Sequence, residues 1–196
     1  MTLPTKLSVL RIGLAFLVMA CLFVPGWVAK AAALALFLAA CLTDWLDGFL
    51  ARRWHETTPL GALLDPIADK VLVLGTFLAF VQLRLVPAWM VLIIALREFL
   101  ITGIRLYMAS RRLVLPAAAE GKHKTVSQMV AIVVILGVLV IEELPGAPWR
   151  SSRTQALMAW AVLGCLWVAV VLTVVSGAAF FWRHRGVLRD VAGTKR

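Results

Sequence analysis

The sequence predicts an all-α fold, a polytopic membrane bundle of six transmembrane helices with an interfacial N-terminal segment. Three observations lead there. The 196-residue chain is 62% hydrophobic with a mean hydropathy of +0.94, against roughly 45–50% apolar residues in ordinary soluble domains. Apolar runs close to the ~20 residues that cross a bilayer as a helix recur along the whole chain. Turn and charge signals separate them at Pro25-Gly26, Arg52-Arg53, Arg84 to Pro87, Arg111 to Lys124 and Glu142 to Arg153. The length suits one compact bundle, so a single membrane domain covers residues 1–196, with no repeat or low-complexity tract.

The six expected spans are 7–28, 31–50, 60–83, 87–108, 126–141 and 155–182. Lys6 and Arg11 place the opening turns of the first along the membrane interface. No small-residue cleavage site follows a short apolar stretch there, so it reads as a retained helix and not a signal peptide. The second closes on Arg52-Arg53, the third on Arg84, and the fourth opens at Pro87. The fifth follows a basic loop, and the last, longer than one crossing requires, tilts or projects.

Six spans put both termini on one side. That side carries 14 Lys and Arg residues, among them Arg52, Arg53, Arg111, Arg112, Lys122 and Arg183, against four (Lys30, Arg84, Arg150, Arg153) on the other. The positive-inside rule makes the basic side cytoplasmic, and the protein a multi-pass component of the cell (plasma or inner) membrane. Trp27, Trp89 and Trp149 near the outer ends, with Trp54 and Trp182 near the inner ends, fit an aromatic belt. The net charge of +10 is then a matter of anionic lipid head groups and implies no nucleic-acid partner. Cys21, Cys41 and Cys165 lie in apolar runs without a CxxC or Cys/His cluster, which argues against a zinc site or a disulfide framework.

Four of the ten acidic residues, Asp44, Asp47, Asp65 and Asp69, lie in or against spans. One Asp at a helix centre costs about 2.5–3.5 kcal/mol on insertion scales, so these four require compensation. Only Lys70 and Arg52 are near enough in sequence to pair with them. Asp44 and Asp47 are three apart and Asp65 and Asp69 four apart, so each pair shares one face of its helix. A short loop between the two helices predicts antiparallel neighbours, with four carboxylates converging at the cytoplasmic end. An all-oxygen donor set suits a hard cation: Mg²⁺ or Mn²⁺, or Ca²⁺ in a larger cage.

Read in full, the stretch is Asp44-x2-Asp47-Gly48-x2-Ala51-Arg52-x8-Gly61-x3-Asp65-x3-Asp69. This resembles the signature of the CDP-alcohol phosphotransferases at all eight fixed positions. The resemblance implies transfer of a substituted phosphate from a CDP-linked donor to an alcohol, with release of CMP. It also implies two divalent ions (Mg²⁺ or Mn²⁺) on Asp44, Asp47, Asp65 and Asp69, with Asp69 as the catalytic base that takes the hydroxyl proton. The CDP donor would lie against Asp44, Gly48, Ala51, Arg52 and Gly61, and a homodimer is implied as well. The opening Thr5-Lys6-Leu7-Ser8-x2-Arg11 is similar to the family's first segment and adds Thr5 to the donor site, although Thr2 stands where an Asn is usual. Small residues at 48, 51 and 61 leave room for a nucleotide, and Arg52 can fork onto phosphate oxygens. No Ser, Cys or His is placed as an obvious nucleophile, which favours direct displacement.

The second half bears on the acceptor. Arg97-Glu98 lies inside the fourth expected span, Arg105 follows eight residues later, and Gly121-Lys122-x-Lys124-Thr125-x2-Gln128 opens the fifth. A buried Arg needs a partner, and Glu98, adjacent in sequence, is expected to point elsewhere. The cluster is similar to a region of the bacterial phosphatidylglycerophosphate synthases, a branch of that family. The resemblance implies that Arg97, Arg105, Lys122 and Lys124 hold the phosphate of glycerol 3-phosphate, with CDP-diacylglycerol as donor. Other acceptors open to the family are inositol phosphate and, to form cardiolipin, phosphatidylglycerol. Acidic residues in spans also suit a divalent-cation transporter, but these cluster toward one side and the outer helix halves carry no polar stripe.

Overall fold

The computed structural model describes residues 3–54, 59–110, 120–146 and 151–193, with side chains for 7–43, 67–109, 123–146 and 151–186. Its elements are α1 (Leu3–Phe23), α2 (Trp27–Trp54), α3 (Pro59–Gln82), α4 (Ala88–Ser110), α5 (Glu120–Glu143) and α6 (Ser152–Gly193). No strand occurs among the described residues.

The six apolar stretches fall on these six helices in order, but several ends move. The first was expected to reach residue 28, yet α1 stops at Phe23 because Pro25 and Gly26, the latter at φ 107°, form a turn inside that span. Helix α5 begins at Glu120, and α6 continues past Trp182 to Gly193. Hydropathy reports where apolar side chains stop, whereas charged residues such as Lys122 and Arg185 are good helix formers that carry the backbone further.

Two described stretches, His123–Glu143 and Ser152–Gly186, are long and apolar enough to cross a membrane. Leu7–Phe23 and Trp27–Thr43 are shorter apolar helices. The outward faces are apolar too, with Phe16, Phe99, Leu157 and Trp160 each more than 60% exposed. Water would not tolerate so much exposed apolar surface, so this is a membrane protein.

Helix α1 packs along both α2 and α3, which touch each other only slightly among the described residues. The α2–α3 contact expected next to the short connection falls on residues 44–66, whose side chains lie outside the described residues. Ala15, Val18 and Leu22 of α1, Ala33, Phe37 and Ala40 of α2, and Phe77 and Phe80 of α3 form the centre of this packing and are essentially inaccessible. Ser8 and Arg11 are buried as well, so Arg11, read from sequence as an interfacial anchor, faces protein. Helix α5 packs on α2 and α6, and α4 on α3 and α6.

One end of the bundle gathers three turns. Gly26 N donates to Glu143 Oε2 at the end of α5. The Lys30 ammonium donates to the terminal carbonyls of Leu22 (2.6 Å) and Val24 (2.9 Å) and stands 3.5 Å from Glu143 Oε1. Arg84 and Pro87, in the α3–α4 turn, line a cavity together with Glu142. Successive helices thus run up and down, and Asp69, Arg105 and Lys124 lie toward the opposite end. Glu143→Ala removes the acceptor of Gly26 N and the counter-charge of Lys30. It is expected to cost about 1–3 kcal/mol, read as a lower melting temperature of the detergent-solubilised protein.

Candidate active site

Helix α2 is unbroken through Asp44, Asp47, Gly48, Ala51 and Arg52, and α3 through Gly61, Asp65 and Asp69. Continuous helix puts Asp44 with Asp47, and Asp65 with Asp69, about one turn apart on a shared face. Of these residues only Asp69 has a described side chain, and it is half-buried next to the fully buried Ala68. The side chains of Asp44, Asp47, Ala51, Arg52 and Asp65, like those of Thr5 and Lys122, lie outside the described residues, as do the surroundings of Gly48 and Gly61. Among the described side chains no three His, Cys, Asp or Glu residues converge. The donor chemistry of the two helix faces, carboxylate oxygen throughout, nevertheless fits a hard divalent ion, and the family works with divalent metal ions.

The basic half is described in more detail, and it corrects one expectation. Arg97 does bond Glu98: Nη1 donates to Glu98 Oε1 at 3.2 Å. The same Oε1 accepts from Lys124 Nζ across the α4–α5 boundary. Adjacent residues on a helix diverge by about 100°, but both side chains are long and turn into the same α4–α5–α6 crevice. Arg97 Nη2 also donates to Ser176 Oγ of α6 at 3.2 Å. Glu98, Lys124, Gln128, Thr173 and Ser176 are all buried. Within the trio one carboxylate serves two cations, leaving one buried positive charge in excess, and Arg97 Nε is buried with no hydrogen-bond partner among the described residues. A buried surplus of this kind is expensive unless an anion answers it.

Arg105, two turns below Arg97, is exposed and stands over the Phe180 ring at 5.7 Å, within cation–π range. Helix α3 packs against both α4 and α5, so the structure brings the signature helix alongside the helices that carry the basic cluster.

Ser176 and Phe180 carry no charge and belong to no motif, and they escaped the sequence reading. The one available signal was Ser176-Gly177 interrupting an otherwise apolar run between Val174 and Phe181. Gln128 was noted, but its partner Thr173, whose Oγ1 accepts from Nε2 at 3.0 Å, was not.

Residues 1–175 match the family described as CDP-alcohol phosphatidyltransferase. The chain is 37% identical to the CDP-diacylglycerol–glycerol-3-phosphate 3-phosphatidyltransferase of Bacillus subtilis, over 95% of this chain and 97% of the relative. It is 34% identical to the protein of that name from Salmonella typhimurium (96% and 97% covered) and 31% to that from Cereibacter sphaeroides (96% and 98%).

Proposed function

The chain belongs to the CDP-alcohol phosphatidyltransferase family, and on that premise we propose that it transfers the phosphatidyl group of CDP-diacylglycerol to glycerol 3-phosphate. The products are phosphatidylglycerophosphate and CMP, and the step belongs to phospholipid biosynthesis. The names of relatives that align over almost the whole chain support both substrates. The observation that carries the acceptor assignment is the buried trio of Arg97, Glu98 and Lys124, which bears a net positive charge on helices that pack against the signature helix. A dianionic phosphate is the chemical complement of that charge.

In this reading Arg97, Arg105, Lys122 and Lys124 grip the acceptor phosphate and present its free hydroxyl to α3. Asp69 takes the hydroxyl proton. The oxygen then attacks the phosphorus bearing the diacylglycerol, the bond to the bridging oxygen breaks, and CMP leaves with the electron pair. Asp44, Asp47, Asp65 and Asp69 would hold two Mg²⁺ or Mn²⁺ ions, whose chemistry is to neutralise charge on the pyrophosphate. Gly48, Ala51 and Gly61 leave space for the cytidine, while Arg52, Asp44 and Thr5 hold the donor head group.

The reading extends to one membrane domain over residues 1–196, six transmembrane helices with a cytoplasmic site in the cell membrane, and, from family resemblance, a homodimer. The excess of basic residues on one side supports the orientation. In a variant lacking Cys21, Cys41 and Cys165, cysteines at Gln82 and Ser151 are expected to react with an impermeant reagent only from outside, and one at Gly186 only from the cytoplasm. Reaction of Ser151→Cys and Gly186→Cys from the same side overturns this topology. Acceptor choice is tested by offering purified protein a panel of alcohols and weighing the lipid product. The mass of phosphatidylglycerophosphate is expected, and preferential formation of the inositol phosphate or cardiolipin product rejects the assignment.

A further inference from the structure

We propose that one face of α6, formed by Ser176, Gly177, Phe180 and His184, aims the two arginines of α4 and thereby sets selectivity for a phosphorylated acceptor. The inference rests on the acceptor pocket proposed above and adds the residues that position it. Residues 176, 180 and 184 are four apart, so they stack along one face of α6, and α6 packs against α4.

Each arginine has its own rung. Ser176 Oγ accepts from Arg97 Nη2 and is itself tied to the Thr173 carbonyl at 3.1 Å, so the hydroxyl has a fixed direction. Thr173 is held in turn by Gln128 and by the Ala169 carbonyl, at 3.0 and 2.6 Å. Gly177 makes room for the Arg97 stem, since a Cβ there would meet Arg97 Cγ at 3.3 Å. One turn on, the Phe180 ring supports Arg105. That ring is backed by His184, with centroids 4.6 Å apart, and the His184 ring nitrogen Nδ1 lies 2.9 Å from the Phe180 carbonyl. Both guanidinium groups are thus oriented by this strip of α6 side chains.

A long, flexible cation binds phosphate well only if its orientation is settled beforehand. Loosening the strip should weaken the acceptor alone. The test is steady-state kinetics of the full chain in mixed micelles, varying CDP-diacylglycerol and glycerol 3-phosphate separately, with glycerol as the acceptor lacking the phosphate. Ser176→Ala and Phe180→Leu are each expected to raise KM for glycerol 3-phosphate about 5- to 30-fold and to narrow the preference over glycerol, with the donor KM unchanged. Phe180→Tyr, which keeps the ring face, should restore the wild-type value. Equal rises for donor and acceptor, or a Phe180→Tyr enzyme as impaired as Phe180→Leu, would reduce the strip to helix packing. If Phe180→Leu fails to fold, Ser176→Ala decides, since it deletes a single atom. Should Arg105→Ala raise the acceptor KM while neither strip variant does, the strip is wrong and the pocket stands. Should Arg105→Ala change nothing, the pocket itself is wrong.

Discussion

Asp69→Asn is expected to cut turnover by about 10²–10⁴-fold, the range that a positioned proton acceptor supplies, while the protein still inserts and elutes as a single species in detergent. Asn preserves the size of the side chain but can neither take a proton nor offer a full negative charge to a cation. The other three signature carboxylates differ in role but not in consequence. In the proposed reading Asp44→Asn, Asp47→Asn and Asp65→Asn each remove an anionic ligand of the two ions, so each should lose activity. Chelator should abolish turnover in the wild type, and Mg²⁺ or Mn²⁺ should restore it. Full turnover in chelator, or an active Asp65→Asn enzyme, would contradict the two-ion reading.

The second large effect is expected at the acceptor pocket, where Arg105 and Lys124 are not equivalent targets. Deleting one charge-assisted contact to the acceptor phosphate should raise KM for glycerol 3-phosphate about 10- to 150-fold, with donor KM almost unchanged. Arg105 is exposed and its one described partner is the Phe180 ring, so Arg105→Ala should show this effect with folding intact. Lys124 is buried and shares Glu98 Oε1 with Arg97. Lys124→Ala deletes one of two cations on a buried carboxylate and leaves the Arg97–Glu98 pair, so it loses a buried charge-assisted hydrogen bond worth about 1.5–3 kcal/mol. Its kinetic defect should come with a modest fall in melting temperature. A parallel rise in donor KM would assign the cluster to the pyrophosphate.

Much of this architecture is written locally. An apolar stretch such as 155–182 has to be a helix in lipid because only internal hydrogen bonding satisfies its backbone there, and the same composition shows on the outward faces of Trp160 and Phe16. Helix ends were less legible because Arg52-Arg53 or Arg183 to Arg185 mark the edge of the hydrocarbon without ending the helix. The two acidic helix faces could be read for a similar reason: intervals of three and four on one helix define a face with no tertiary information, and α2 and α3 are helical through those positions. The basic half could not. Arg97 and Glu98 diverge when viewed as neighbours on a helical wheel, and only a third helix carrying Lys124 gives them a common destination. Ser176 and Phe180 look like ordinary packing residues of a long apolar helix, and only their contacts with Arg97 and Arg105 of α4 set them apart. The buried Lys30 is a similar case, since its partners are carbonyls at the end of another helix and leave no trace in the spacing of side chains.

The decisive measurement follows CMP release from CDP-diacylglycerol in proteoliposomes, with and without glycerol 3-phosphate and with and without Mg²⁺. Transfer by direct displacement predicts one CMP for each phosphatidylglycerophosphate formed, and none when either the acceptor or the divalent ion is withheld. CMP appearing without acceptor would show that water, or a nucleophile on the protein, attacks the donor first. No CMP under any condition, alongside Mg²⁺ flux across the liposome membrane, would make the four aspartates part of a transport pathway and contradict the transferase.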